Sequence, residues 1–171
     1  MSEENQPQEG GQQFALQRIY TKDVSFETPN SPVIFSQPWE PESELALNSN
    51  ATPLGDDLYE VVLSITVTTK TKDKVAYLVE VQQAGVFFAK GFQDQELGPM
   101  LGAYCPNVLF PYAREVVSDL VSKGSFPQLL LTPVNFEMLY QQHQAQRQQR
   151  AQQRAQQAAQ AEQEQAETAA D

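Results

Sequence analysis

The stretch MLGAYCPNVLFPYAREVVSDLVSKGSF, Met100 to Phe126, constrains this chain more than any other. Tyr112-Ala113, Val116-Val117 and Leu120-Val121 alternate with the polar pairs Arg114-Glu115, Ser118-Asp119 and Ser122-Lys123. Such a recurrence puts one broad apolar stripe on a helix, opposite a wet face. Pro106 is expected near the helix start, because proline tolerates the first turn, and Pro111 is expected either to reset that start or to kink the helix. Lys123 suits the negative end of the helix dipole, and Gly124 is expected to close the helix in the left-handed conformation. A stripe this wide needs a cover, either a sheet from the rest of the chain or that sheet together with a second copy.

Strands precede the helix. In FALQRIYTKDVSFE, Phe14, Leu16, Tyr20, Val24 and Phe26 share one parity and Gln17, Thr21, Asp23, Ser25 and Glu27 the other, which predicts a half-buried strand with Asp23 and Glu27 on its solvent side. Thr28 to Pro32 breaks it, Val33-Ile-Phe35 follows, and the prolines of Gln37 to Pro41 forbid a regular ladder or helix. The chain's single tryptophan, Trp39, lies in that loop, either as an anchor tucked onto the core or as an aromatic wall of a groove. Leu45 to Leu47 reads as a short strand, and Asn48 to Asp57 as a polar turn region. LYEVVLSITVTTK alternates again, Lys70 to Lys74 reads as a hairpin turn, and Val75 to Phe88 as the returning strand, with Glu80 on the face opposite Val79 and Val81. Four strands followed by helices predict an antiparallel sheet with helices on one side.

After a break at Lys90 to Gly98 and the long helix, the segment from Gly124 to Pro133 carries its own apolar residues. A second helix is expected from Val134, with Asn135 as cap and Phe136, Leu139 and Tyr140 at helical spacing. Residues 1–12 are expected to be disordered and 13–142 to form one domain. The Gln/Ala-rich tail at 143–171 has good helix propensity but no apolar stripe to dock, and is expected to be a frayed helix passing into disorder.

The 171 residues carry a net charge of -11. Such acidity disfavours nucleic acid and favours basic partners, although it also serves solubility. One cysteine, Cys105, permits no intramolecular disulfide and fits a reducing compartment. No charged-then-apolar leader is evident and no apolar run approaches the ~20 residues of a membrane span, so a cytosolic location without membrane insertion is expected. The single histidine, His143, sits in the tail, which removes histidine-based triads, and one cysteine removes a Cys-rich zinc site. Gly10-Gly11 and LGPMLG lack the lysine and the order of a phosphate loop. Carboxylates adjoin at Asp56-Asp57 and at Asp23/Glu27, without an evident apolar pocket to raise a pKa. Binding without a cofactor is therefore the expected class, and enzymatic activity is not.

RIYTKDVSFE, YEVVLSITVTT, VEVQQAG, LGAYCPNVLFPYARE and SFPQLLLTPVNFE, in this order and spacing, resemble the SecB family of bacterial protein-export chaperones over roughly residues 14–140. The resemblance implies an α+β fold: a four-stranded antiparallel sheet on a long helix and a shorter C-terminal one, assembled as a dimer of dimers. It implies an ATP-independent chaperone that holds newly made secretory precursors unfolded and delivers them to the SecA motor. Matching the family's assembly elements, Val79, Val81, Gln83, Tyr112, Val116 and Leu120 are expected at subunit interfaces, with ordinary core packing the alternative for the first three. A groove with aromatic walls would suit unfolded chains, and Trp39, Leu45, Leu47, Phe136, Leu139 and Tyr140 are the candidates to line it, with ordinary core packing the alternative for each. Asp23, Glu27, Leu78 and Glu80 match the face that meets the basic, zinc-bearing tail of SecA, so the metal belongs to the partner; a merely solvated surface face is the alternative. The competing class is a structural or scaffolding oligomer that uses the helix stripe only to assemble.

Overall fold

The computed structural model describes residues 11–168, with side chains to residue 157. The expectation for residues 1–12 therefore falls largely outside the described residues, as does the last part of the tail. Strand β1 spans Gln13–Glu27, β2 Pro41–Gly55, β3 Leu58–Thr71 and β4 Lys74–Lys90. They form one antiparallel sheet in the order β1-β4-β3-β2. Helix α1 (Asp94–Pro99), a π-helical segment (Met100–Tyr104) and α2 (Cys105–Lys123) run on without a break, and α3 covers Phe136–Thr168.

The two central strands carry the apolar alternation at its strongest, and they hold the core. Val61, Leu63, Ile65 and Val67 of β3 and Tyr77, Val79, Val81 and Phe87 of β4 are buried against Cys105, Leu109, Ala113, Val117 and Val121 of α2. Those five helix positions recur every fourth residue, so a single face presses on the sheet. Burying each large side chain contributes about 1.5–3 kcal/mol before its entropy cost. Tight turns with positive φ at Asp56-Asp57 and Lys72-Asp73 join β2 to β3 and β3 to β4. Such turns match the right-handed twist of a hairpin.

Four expectations need correction. The helical run begins at Asp94, well before Pro106, because Gln93 and Glu96 cap it reciprocally. The π-segment then carries the chain into Pro106: the Cys105 N–H donates to the Met100 carbonyl, five residues back, so the ladder is already re-registered where proline lacks its donor. Second, β2 is no three-residue strand. It pairs with β3 along its whole length, its polar residues being those of an exposed edge. Third, β1 does not keep one parity. Irregularities between Leu16 and Arg18 and between Thr21 and Asp23 make Ile19 and Thr21 face the helix, while Tyr20 turns outward opposite Ala84. Fourth, Gly124 has φ -74, and Ser125 takes the left-handed conformation instead. Glycine is required at 124 for space, since a Cβ there would overlap the Phe26 ring.

On the outer face of the sheet, Lys22 Nζ donates to both carboxylate oxygens of Glu60 at 2.8 Å, and the Tyr20 hydroxyl donates to the same carboxylate. The two β1 side chains thereby reach across β4 to β3 over the small side chain of Ala84. The bond from Lys22, and after it the one from Tyr20, hold the Glu60 carboxyl below the ordinary carboxylate range.

Gly124→Ala is expected to lower stability by about 1–3 kcal/mol through overpacking against Phe26, with Phe26→Leu recovering part of the loss in thermal unfolding. A carboxyl whose folded pKa is depressed stabilises above its unfolded pKa and loses that effect as pH falls through the folded value. The stability gap between the wild type and Glu60→Gln should accordingly be open near neutral pH and shrink as pH falls through and below the ordinary carboxylate range, as read by denaturant melts at each pH.

Candidate functional site

Because α2 lies chiefly on β3 and β4, both margins of the inner sheet face are left uncovered. At the β2 margin a groove forms with α3. At one of its ends the loop after β1 folds back onto the core. Ile34 is buried, Asn30 Nδ2 donates to the Val75 carbonyl at 2.9 Å, and the Thr71 hydroxyl donates to the Pro38 carbonyl and accepts from the Glu40 N–H, each at 3.1 Å. This seats Trp39 with its ring centroid 5.7 Å from that of Phe126, which also meets Phe35 at 5.1 Å and Tyr77 at 5.0 Å. Trp39 and Phe35 remain 37% and 50% exposed, so Trp39 is both anchor and wall.

From there the inner side of β2 carries Leu45, 43% exposed, then Leu47, half-buried. At the other end, β2 and α3 enclose a groove of about 310 Å³ that Leu47, Phe136, Leu139 and Tyr140 help to line. The six candidate client residues therefore form two clusters joined by Leu45, not one pocket. Their roles differ as well. Phe136 is buried edge-on against Phe110 at 5.6 Å and fastens α3 to α2. Tyr140 lies over Gly98 and Gly102, where a Cβ would collide with its ring or hydroxyl, so these glycines form the slot that sets the direction of α3. Asn135 Oδ1 accepts from the Met138 N–H at 3.0 Å and caps that helix, as expected. Phe35 and Phe126 were not singled out from the sequence, where only their aromatic character beside a proline loop and a helix end signalled them. A second, larger apolar cavity of about 750 Å³ opens between α1 and the start of α3, lined by Met100, Tyr104, Val134 and Phe136 among others.

On the opposite face of the sheet, the strand register pairs Glu27 with Leu78, Ser25 with Glu80 and Asp23 with Gln82. Asp23, Glu27, Leu78 and Glu80 thus stand together on two neighbouring strands, as the alternation predicted. The ion pairs among the described residues are Lys22 with Glu60 and Lys123 with Asp119, so these three carboxylates are unpaired there.

The expected interface residues divide. Val79, Val81 and Gln83 are buried beneath α2 within one chain. Tyr112 is 51% exposed, and Val116 and Leu120 are half-buried, on the flank of α2 where Tyr104 meets Phe14 of β1. Leu16 and Val24 of β1 are exposed beside this flank and extend an apolar margin.

Burial pushes the Cys105 thiol up to about 12, and the described residues hold no group of three metal-ligating side chains. No described helix is long and apolar enough to cross a membrane.

The profile of the family described as Preprotein translocase subunit SecB matches residues 5–147. A protein-export protein SecB of Methylococcus capsulatus is 60% identical over 142 residues, covering 83% of this chain and 90% of the relative. That of Nitrosococcus oceani is 57% identical over 150 residues, covering 85% and 92%. Among solved structures, a SecB-like chaperone of Mycobacterium tuberculosis in complex with an antitoxin peptide superposes with a TM-score of 0.57 at 18% identity, over 71% of this chain and 90% of that one, a likeness of fold. With the sheet, the long helix and the C-terminal helix in place, and with this identity along nearly the full length of its relatives, the chain belongs to the SecB family of protein-export chaperones.

Proposed function

We propose that this chaperone holds newly made secretory precursors unfolded along the β2 margin and hands them to SecA. The observation that carries this is the uncovered apolar track from Trp39 and Phe35 through Leu45 to the groove at Leu47, Leu139 and Tyr140. Unfolded chains expose apolar side chains and free backbone groups together. An apolar track on a sheet edge suits both, for β2 stays in unbroken register with β3 from Pro41 to Pro53 and its other backbone edge is open to an extended segment. Each contact is weak and tolerant of sequence. Several tracks on one assembly, engaged by one long client, would hold it by effective concentration without nucleotide hydrolysis or any covalent step.

The assembly we infer is a homotetramer in the cytosol, a dimer of dimers. Tyr112, Val116 and Leu120, with the β1 margin, are the apolar surface that a second copy would cover, and Val79, Val81 and Gln83 support it from beneath. The SecA contact is assigned to Asp23, Glu27, Leu78 and Glu80. Their carboxylates suit a basic, zinc-bearing tail, and Leu78 adds an apolar contact between them. A scaffold without clients would have no use for half-exposed aromatics on the β2 margin.

In a refolding assay with a slow-folding precursor and no nucleotide, stoichiometric wild-type protein should delay folding, while Trp39→Ala combined with Tyr140→Ala should release the client about tenfold faster from a tetramer of unchanged mass. Trp39→Ala alone, which leaves the α3 slot filled, should show part of the effect. Unchanged release in both variants would remove Trp39 and Tyr140 from the site, and no delay by the wild type would favour the scaffold. Reversing the charge of Asp23 and Glu27 with lysine should raise the Kd for the SecA tail about tenfold at low salt, with the difference shrinking as salt rises. A salt-independent affinity would locate that contact elsewhere.

A further inference from the structure

On the outer face of the sheet, Asp23, Glu80 and Glu27 stand toward one end of β1 and β4, while Arg18, level with Val86, stands toward the other. Lys22 breaks that division in sequence but not in space. It adjoins Asp23 and is the extra residue of the irregularity between Thr21 and Asp23, without a partner on β4. Its ammonium nonetheless lies away from that aspartate. It donates to both carboxylate oxygens of Glu60 at 2.8 Å, and the Tyr20 hydroxyl donates to the same carboxylate. Glu60 is opposite Val86 of β4 and Asp23 opposite Gln82, so the two acids are four residues of β4 apart. That is roughly 13 Å along the strands, more than the ~8 Å over which charge is screened at physiological salt. Arg18 shares the Val86 level with Glu60, yet no ion pair of the described residues includes it. The Glu60 side chain, 17% exposed, is given instead to the lysine that borders the acidic patch.

We propose that Glu60 is a positioning residue for the acidic face: it draws the Lys22 ammonium away from Asp23 and so leaves the carboxylates of Asp23, Glu80 and Glu27 free to meet a basic partner. The proposal rests on the assignment of that face to the SecA tail and adds to it a residue that touches no partner itself. Successive residues of a strand ordinarily point to opposite faces, but the irregularity in β1 sets Lys22 and Asp23 on the same one. Released from Glu60, the flexible four-carbon stem of Lys22 would carry a compact positive charge to its neighbour. One of three carboxylates neutralised in this way weakens the attraction for a basic segment. Glu60 prevents it with charge-assisted bonds. It stays ionised to do so, its carboxyl being held below the ordinary range by Lys22 first and by Tyr20 second. Ala84, small and opposite Tyr20, leaves the path across β4 open.

The test uses the full-length protein and a fluorescent, zinc-loaded peptide of the SecA tail, followed by anisotropy at low ionic strength. Glu60→Gln should raise the Kd about three- to fivefold, with high salt closing the gap, and adding Lys22→Gln should return it to within about twofold of the wild type. The released lysine acts through its neighbour. In an Asp23→Asn background, Glu60→Gln should therefore add less than about twofold, a coupling between β1 and β3, two strands that are not paired. Simple loss of one remote charge would instead add equally in both backgrounds. Wild-type affinity in Glu60→Gln, an effect that high salt leaves intact, or an equal effect with and without Asp23 overturns this proposal alone. If reversing the charge of Asp23 and Glu27 leaves the Kd unchanged, the SecA contact lies elsewhere and this proposal falls with that assignment.

Discussion

One helix presses on the middle of a four-stranded sheet. The buried face of α2, from Cys105 to Val121, covers β4 and β3 and is too narrow to cover β1 and β2 as well. The interior strands are thereby excluded from water on their inner side, while each edge strand keeps apolar residues on a face that only another polypeptide can hide. Leu16 and Val24 on one margin and Leu45 and Trp39 on the other follow from this single mismatch of width. Apolar surface left over by folding in this way marks a face suited to contact with another polypeptide.

The margins would have no shape without a second set of contacts made by small residues. Gly98 and Gly102 admit the Tyr140 ring, which directs α3 across the end of β2 and turns an open sheet edge into a groove. At the opposite end, Gly124 admits Phe26, and Phe126 then gathers Phe35, Trp39 and Tyr77 about itself. Both ends of the track are thus made by glycines that let an aromatic ring approach backbone, a packing in which one added methyl group has nowhere to go.

Charge is sorted between the two faces of the sheet. Outside, Lys22 and Tyr20 occupy Glu60, and Asp23, Glu27 and Glu80 have no ion pair among the described residues and face solvent. Inside, the groove under α3 has no carboxylate, and its charged lining is basic.

Much of this was legible in the residues. The alternation of β3 and β4, the hairpin turn expected within Lys70 to Lys74, the amphipathic helix ending at Lys123 and the Asn135 cap are local patterns, and the structure bears each of them out, with the turn itself at Lys72-Asp73. So is the common face of Asp23, Glu27, Leu78 and Glu80, since strand parity survives the second irregularity of β1 at those positions. Position 124 and the length of β2 differ from the expectation for one reason: each is set by a neighbour distant in sequence. The Phe26 ring decides 124, and β3 recruits the polar half of β2 into the ladder. At the helix start the Gln93–Glu96 box and a π-turn outweigh the proline signal. By itself the sequence determined the central strands and the long helix and their order, because periodicity and capping act over a few residues, and its longer segments carried the resemblance to the family. Only the tertiary structure decided which apolar residues are core and which are left as surface, because that depends on how far one helix reaches across a sheet, and no local pattern records it.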